Sequence, residues 1–331
     1  MKFSLSLPTG FEGVMYPVPF VDPSDFVRMA RLAEKLGYHS VWGNDHIQSQ
    51  HYVRELYPDT PPNFYELMTV LSFCAAATTT LEVGTALAVQ PMRDPFWLAK
   101  TASTIDQLSN GRMILALGIG AYREEFAAWA PRIAKTAQRG EMMDEGLDLM
   151  KRLFTERRVT HEGKYYAVKD IEMYPKPRRK PFALWLGGHN KPTIERTARH
   201  ATGWLPGWRP WPELEEWIKI LKNRAHELGR DPAEIEIAPQ FSVTIAKTPE
   251  EAEKRYMESG LVAHRKSLAY TGRDLSKQIV ANLVGSPDLI KEKIEGLKKI
   301  GVDHACALMI PADWMAEYED QVEWFAKTAI A

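Results

Sequence analysis

Residues 22–42 read DPSDFVRMARLAEKLGYHSVW. Asp22 stands as a helix N-cap and Pro23 at the first helical position, where its missing N–H costs nothing. Phe26, Ala30, Ala33 and Leu36 then recur at helical spacing and give the segment one apolar stripe. Gly37 ends the helix, and a short strand follows without a linker.

The same grammar returns at 286–310, SPDLIKEKIEGLKKIGVDHACALMI, with Ser286, Pro287, a stripe of Ile290, Ile294, Leu297 and Ile300, the stop Gly301, and an apolar strand over 305–310. Asp94 and Pro95 open a third such helix, carrying Phe96, Leu98, Ala102, Ile105 and Leu108, which stops at Asn110 and Gly111 before RMILALGIG. Further strand candidates are FSLSL, LEVGTALAV, FALWLGG, GWLP and IEIAPQFSVTI.

Strands this uniformly apolar are buried on both faces, which implies a parallel sheet covered by helices. About eight strand–helix pairs fit the length, so a single-domain (β/α)8 TIM barrel over 1–331 is favoured over an open sheet. Two stretches depart from the unit. RRVTHEGKYYAVKDIEMYPKP (157–177) alternates around a glycine turn and reads as a hairpin insertion; 258–285 reads as an irregular, mildly helical one. Both are expected at the C-terminal face of the barrel.

Composition narrows the function. The 331 residues are 45% hydrophobic and 26% charged, an ordinary globular balance. Forty-two basic and 43 acidic side chains leave a net charge of -1, with no basic block to neutralise a phosphate backbone, so nucleic acid is not an expected partner. The start, MKFSLSLPTGFEG, alternates apolar and polar residues, and no later run is long enough to span a bilayer; a cytoplasmic protein without a membrane partner is expected. Cys74 and Cys306 are far apart and in no CxxC pair, so neither a zinc cluster nor another metal site is expected. Ten Trp, 12 Tyr and 12 Phe supply either core or flat pocket walls.

The strand SVWG runs into Asn44, Asp45 and His46, and an acid and an imidazole are costly to bury unless something uses or pairs them. With the strands placed, LGYHSVWGNDH, VGTALAVQPMRDPFWLAKTASTIDQLSNGRMILALGIGAYREEF and FALWLGGHNKPTIERTARHATGWLP together resemble the bacterial luciferase-like superfamily, particularly its deazaflavin-dependent oxidoreductases. The likeness runs from Phe3 to about Pro206 and returns in the last unit.

That resemblance implies a flavin-type cofactor, coenzyme F420 or alternatively FMN, over the C-terminal mouth, a small-molecule substrate and a homodimer. It makes His46 the proton-transfer residue, with Asp45 orienting it or bonding the polar edge of the ring. By alignment, a non-prolyl cis bond falls at Ala86 and Leu87, under the middle of the ring. Gly118 and Gly120 either let a flat ring approach the backbone or form a tight turn. Gly187 and Gly188, before a helix beginning near Pro192, offer backbone N–H groups to the cofactor's phosphate, although the usual barrel phosphate site lies after the last two strands. Trp204, Trp208 and Arg209, with Trp211 beside them, suit an apolar or planar substrate with an anionic or carbonyl handle; Tyr122 extends that wall, and Trp42 extends it or packs in the core.

Sugar-phosphate dehydrogenases of the family carry an acid directly after Gly-x-Gly, where this chain has Ala121, so that role is not transferred. Glu124 and Glu125 either reach the site or serve as first-turn acids favoured by the helix dipole. The leading expectation is hydride transfer between a deazaflavin and a small organic substrate, assisted by His46. An FMN-dependent monooxygenase is the alternative, and a non-catalytic flavin-binding relative the third reading.

Overall fold

The computed structural model describes residues 1–267 and 275–330. Each sequence-predicted strand segment forms, as β1 (Lys2–Leu7), β2 (Ser40–Gly43), β3 (Glu82–Thr85), β4 (Ala88–Val89), β5 (Met113–Gly118), β8 (Ala183–Gly187), β9 (Gly203–Leu205), β10 (Glu236–Ile237), β11 (Gln240–Ile245) and β13 (His304–Met309), with β12 (Leu283–Gly285) added late in the chain. A separate antiparallel hairpin pairs β6 (Val159–Glu162) with β7 (Ala167–Ile171).

The other strands form one curled parallel sheet in the order β10-β9-β8-β5-β3-β2-β1-β13-β11-β12, with β4 pairing β5. Only Ala238 and Pro239 separate β10 from β11, so one stretch of chain stands near both ends of that order. Ala238 N–H bonds the Trp204 carbonyl at 2.9 Å and Gln240 N–H that of Pro206 at 2.9 Å, while Asp303 and Cys306 donate to the carbonyls of Ile237 (2.9 Å) and Pro239 (3.0 Å).

Both faces of the sheet are buried, as the apolar strands require. Along β5, Met113, Leu115 and Leu117 join the large core under the helices, whereas Ile114 and Ala116 join a second cluster on the concave side with Trp42, Trp185 and Leu205. The two indoles lie 5.2 Å apart. A Cβ on Gly84 would come within 2.4 Å of Trp42, and one on Gly203 within 2.4 Å of Trp185, so both positions are kept without a side chain. Trp42 therefore packs in the core, fully buried.

The helices largely follow their caps. Asp94 accepts from the N–H groups of Phe96 (2.9 Å) and Trp97 (3.1 Å), and Ser286 from that of Leu289 at 3.4 Å. Asp22 is an exception: its carboxylate takes the Ser24 N–H at 2.9 Å and the Ser24 hydroxyl at 2.7 Å, closing a turn that delays the helix to Asp25–Lys35. The hairpin packs along the helix Arg139–Thr155, where Glu145 accepts the N–H groups of Tyr165 and Tyr166. Within 258–285, the helices Gly260–Ser267 and Gln278–Ala281 precede β12, and residues 268–274 lie outside those described. Among the described residues no helix is long and apolar enough to cross a membrane.

Candidate active site at the carboxyl ends of the strands

A cavity of about 430 Å³ opens at the carboxyl ends of the strands. It gathers side chains and backbone from Asn44, Asp45 and His46 after β2, Ala86 and Leu87 between β3 and β4, Gly118 and Gly120 after β5, Gly187 and Gly188 after β8, and Leu205, Gly207 and Gln240 beyond. The residues expected from the sequence to hold a proton-transfer group and a cofactor ring thus meet in one place, within the usual volume range of ligand sites.

His46 is half-buried between Phe64 and Tyr122, with ring centroids 5.7 and 6.0 Å away. Its Nδ1 lies 3.0 and 3.1 Å from the two carboxylate oxygens of Glu125, a residue with only 2% of its surface exposed. Glu125 sits in the first turn of the helix Arg123–Trp129, whose other acid, Glu124, accepts the His51 N–H at 2.9 Å. Of the two acids left undecided by the sequence, Glu125 is the one at the site. The signal for it was the REEF stretch just after the glycines, although periodicity alone could not separate the two carboxylates.

Asp45 does not orient His46. Its carboxylate accepts the Val89 N–H at 2.9 Å and forms a two-point ion pair with Arg93, at 2.8 Å from Nε and 2.7 Å from Nη2. Arg93 also reaches Glu66 at 2.8 Å; burial would lower its pKa, but the two carboxylates outweigh it and move it upward. Asp45 thereby ties the end of β2 to β4. Asn44 ties it to the first loop: it accepts from the Thr9 hydroxyl at 2.7 Å and the Gly10 N–H at 3.0 Å. The acid and the imidazole that end the strand are each paired, with different partners.

The peptide bond between Ala86 and Leu87 is cis, at the position the family likeness indicated. Both residues are half-buried within an otherwise buried run, and so present an apolar surface to the cavity. A Cβ on Gly118 would fall 2.8 Å from Leu87 Cδ1, and one on Gly187 only 2.1 Å from it. Those two glycines make room for the leucine, a reason different from close approach of a ring. Gly120 takes φ 81°, which favours glycine, and a Cβ there would meet Val89 at 2.9 Å.

At the glycine pair after β8, the helix Lys191–His200 starts one residue before Pro192. Asn190 caps it by accepting the Thr193 N–H at 3.0 Å, and Pro192 has no N–H, so the first turn offers an anion less than its position suggests. Gly188 takes φ 113°, and its carbonyl accepts from Trp204 Nε1 at 2.8 Å.

Trp204, Trp208 and Arg209 are buried to 3% exposure or less and do not line the cavity as packed. The Trp208 ring carries the Arg265 guanidinium 5.0 Å from its centroid. Arg209 follows two residues after Gly207; its Nε makes no hydrogen bond and lies 3.6 Å from Glu213, and burial lowers its pKa. Tyr122 stands beside His46.

A flat tricyclic ring fits what the cavity provides. Ala86, Leu87 and Leu205 form an apolar floor, Asn44, Asn190 and Gln240 supply amides at its margin, and His46 stands at its edge. Two larger cavities, about 650 and 680 Å³, lie at the opposite, amino ends of the strands. They hold no group to match the His46 and Glu125 pair, and in barrels that end serves stability.

The sequence profile described as luciferase-like monooxygenase matches residues 1–304. Among curated proteins, one of Mycobacterium tuberculosis with no assigned function is 28% identical over 240 residues, which is 70% of this chain and 82% of that one. An F420-dependent glucose-6-phosphate dehydrogenase of Kineococcus radiotolerans is 26% identical over 233 residues, 70% of this chain and 66% of that one. Among solved structures, an F420-dependent secondary alcohol dehydrogenase with an F420–acetone adduct superposes with a TM-score of 0.78 at 19% identity, over 100% of this chain and 99% of that one. The monooxygenase RslO1 from Streptomyces bottropensis does so with 0.77 at 21%, over 100% and 99%. At these identities the two structures are similar in fold.

Proposed function

The chain belongs to the luciferase-like monooxygenase family and is an oxidoreductase, and from that premise we propose that it transfers a hydride between a deazaflavin, coenzyme F420, and a small organic substrate, with His46 exchanging the proton. The curled sheet is taken as a closed (β/α)8 barrel, because residues 236–240 bond β9 on one side and the segment leading into β13 on the other. The carrying observation is a half-buried imidazole on a buried carboxylate at the edge of a cavity floored by Ala86 and Leu87.

When bound there, the deazaflavin supplies two-electron hydride chemistry. Ala86, Leu87 and Leu205 hold the flat ring and keep water from that face. Glu125 accepts from His46 Nδ1–H, which leaves Nε2 as the atom that takes a proton from a substrate hydroxyl or returns one to a carbonyl oxygen. Arg209, whose Nε makes no hydrogen bond and which lies two residues after the cavity-lining Gly207, is retained as the anchor for an anionic handle. An FMN-dependent monooxygenase is the second reading, kept because RslO1 shares the fold.

Titration of the chain with coenzyme F420 and with FMN tests this first; tight binding of FMN alone would refute it. In the deazaflavin-loaded enzyme, His46→Gln is expected to keep cofactor affinity within about twofold and to lower kcat by roughly 10²–10⁴. Glu125→Gln should lower kcat by about tenfold, the loss of one charge-assisted hydrogen bond, again without a change in cofactor affinity.

A further inference from the structure

The 650 Å³ cavity at the amino ends of the strands has a composition that the barrel does not require. Its floor is apolar, built from Phe154, Phe182 and Leu184, with the two phenyl rings 4.7 Å apart. Its rim carries Lys151, Lys180 and His200, and the only acid lining it is Asp148.

Cations at this end of a barrel ordinarily offset the negative ends of the helices, but other residues already do so here. Lys176 donates to the carbonyl of Leu153 at 2.7 Å and to that of Glu156, closing the helix Arg139–Thr155. Arg230 donates to the carbonyls of Ala198 and Ala201 at 2.9 Å each, closing Lys191–His200. Neither Lys151 nor Lys180 forms an ion pair among the described residues. Lys151 instead lies 3.1 Å from His200 Nδ1, and burial followed by the Lys151 charge lowers the pKa of that imidazole, so the ammonium has only a neutral acceptor. A half-buried Lys151 and an exposed Lys180, neither with a counter-ion, above an apolar floor are a recognition surface for negative charge joined to a hydrophobic body.

We propose that this cavity binds an amphiphilic organic anion, its apolar or aromatic body against Phe154 and Phe182 and its carboxylate, sulfonate or phosphate on Lys151 and Lys180. The site lies at the opposite end of β8 from Gly187 and is separate from the cofactor cavity.

The probe is 8-anilinonaphthalene-1-sulfonate, titrated by calorimetry into the full chain after saturation with coenzyme F420. One binding site is expected. Lys151→Met/Lys180→Met should weaken it at least tenfold, and Lys180→Met alone, at an exposed side chain that leaves folding intact, at least threefold. The control Lys169→Met/Lys219→Met, which removes two exposed lysines elsewhere, should leave affinity within twofold. Equal affinity in the wild type and the Lys151→Met/Lys180→Met variant would overturn the proposal, as would binding that vanishes once the cofactor cavity is filled.

Discussion

Gly187→Ala tests why the floor of the cavity is glycine. A Cβ built on Gly187 falls 2.1 Å from Leu87 Cδ1, 2.7 Å from Cδ2 and 2.9 Å from Cγ. Because the branch carbon is involved, turning the tip of the leucine does not relieve the contact, and the whole side chain must move. Overpacking of this kind costs about 1–3 kcal/mol, and three contacts closer than any ordinary one place it at about 2–3. The leucine is half-buried and its open side is the cavity. It therefore moves into the space a ring would occupy, and FMN or deazaflavin affinity falls by roughly 30–150-fold. Leu87→Ala removes all three clashing atoms. In that background Gly187→Ala should cost under about 0.5 kcal/mol, giving a coupling of about 2 kcal/mol in a double-mutant cycle read by urea unfolding and cofactor titration. An equal cost of Gly187→Ala in both backgrounds would show that the leucine is not the reason for the glycine.

Asp45→Asn leaves the half-buried Arg93 with weakened partners and should destabilise the chain by about 3 kcal/mol in urea unfolding; a loss below about 1 kcal/mol would mean that the Asp45 carboxylate does not hold β2 to β4. Lys293, 8% exposed, donates to the carbonyls of Ile279 and Asn282 at 2.8 Å and Val284 at 2.9 Å. Lys293→Met strands those acceptors at an estimated ~3 kcal/mol, and hydrogen exchange at Leu283–Gly285 should quicken; unchanged exchange there would contradict the role. Glu236 is pushed up by burial, but hydrogen bonds from His304 and Lys2 outweigh this and hold it at about 2. A carboxylate depressed from 4.5 to about 2 contributes stability that is full above pH 4.5 and lost as pH falls toward 2. Glu236→Gln should remove on the order of 3 kcal/mol of that acid-side slope; identical slopes in variant and wild type would refute the assignment.

The fold was legible because its signals are local. Caps such as Asp94 and Ser286, stops such as Gly301, and near-continuous apolar strands act within one turn or one strand, and each formed where expected. Asp22 misled because its carboxylate found Ser24 two residues on, a competition between turn and helix that the cap pattern does not rank. At the site, positions were legible and partners were not. His46 reached the rim, yet its carboxylate comes from a residue 79 positions away, and Asp45 found Arg93 at a separation of 48. The tryptophans of GWLPGWRPW were read as a wall because aromatic loops often are, but Trp204 uses its indole N–H on Gly188 and packs in the core under the helices.

Counting by twos along the strands explains where the cavity comes from. Successive concave-side positions are Ser40, Trp42, Asn44 in β2; Glu82, Gly84, Ala86 in β3; Ile114, Ala116, Gly118 in β5; Ala183, Trp185, Gly187 in β8; and Gly203, Leu205, Gly207 in β9. The middle layer alternates large and small, Trp42 beside Gly84 and Trp185 beside Ala116, and fills the interior. The third layer, Asn44, Ala86, Gly118, Gly187 and Gly207, has no large side chain, and all five line the cavity. An interior packed below and left open above follows from residue size at a period of two. Leu87, at the cis bond, packs against Gly118 and Gly187 and occupies part of the opening. The depth available to a ring is therefore set by one leucine resting on two glycines, and a larger residue at Gly118 or Gly187 closes the site from beneath without touching His46.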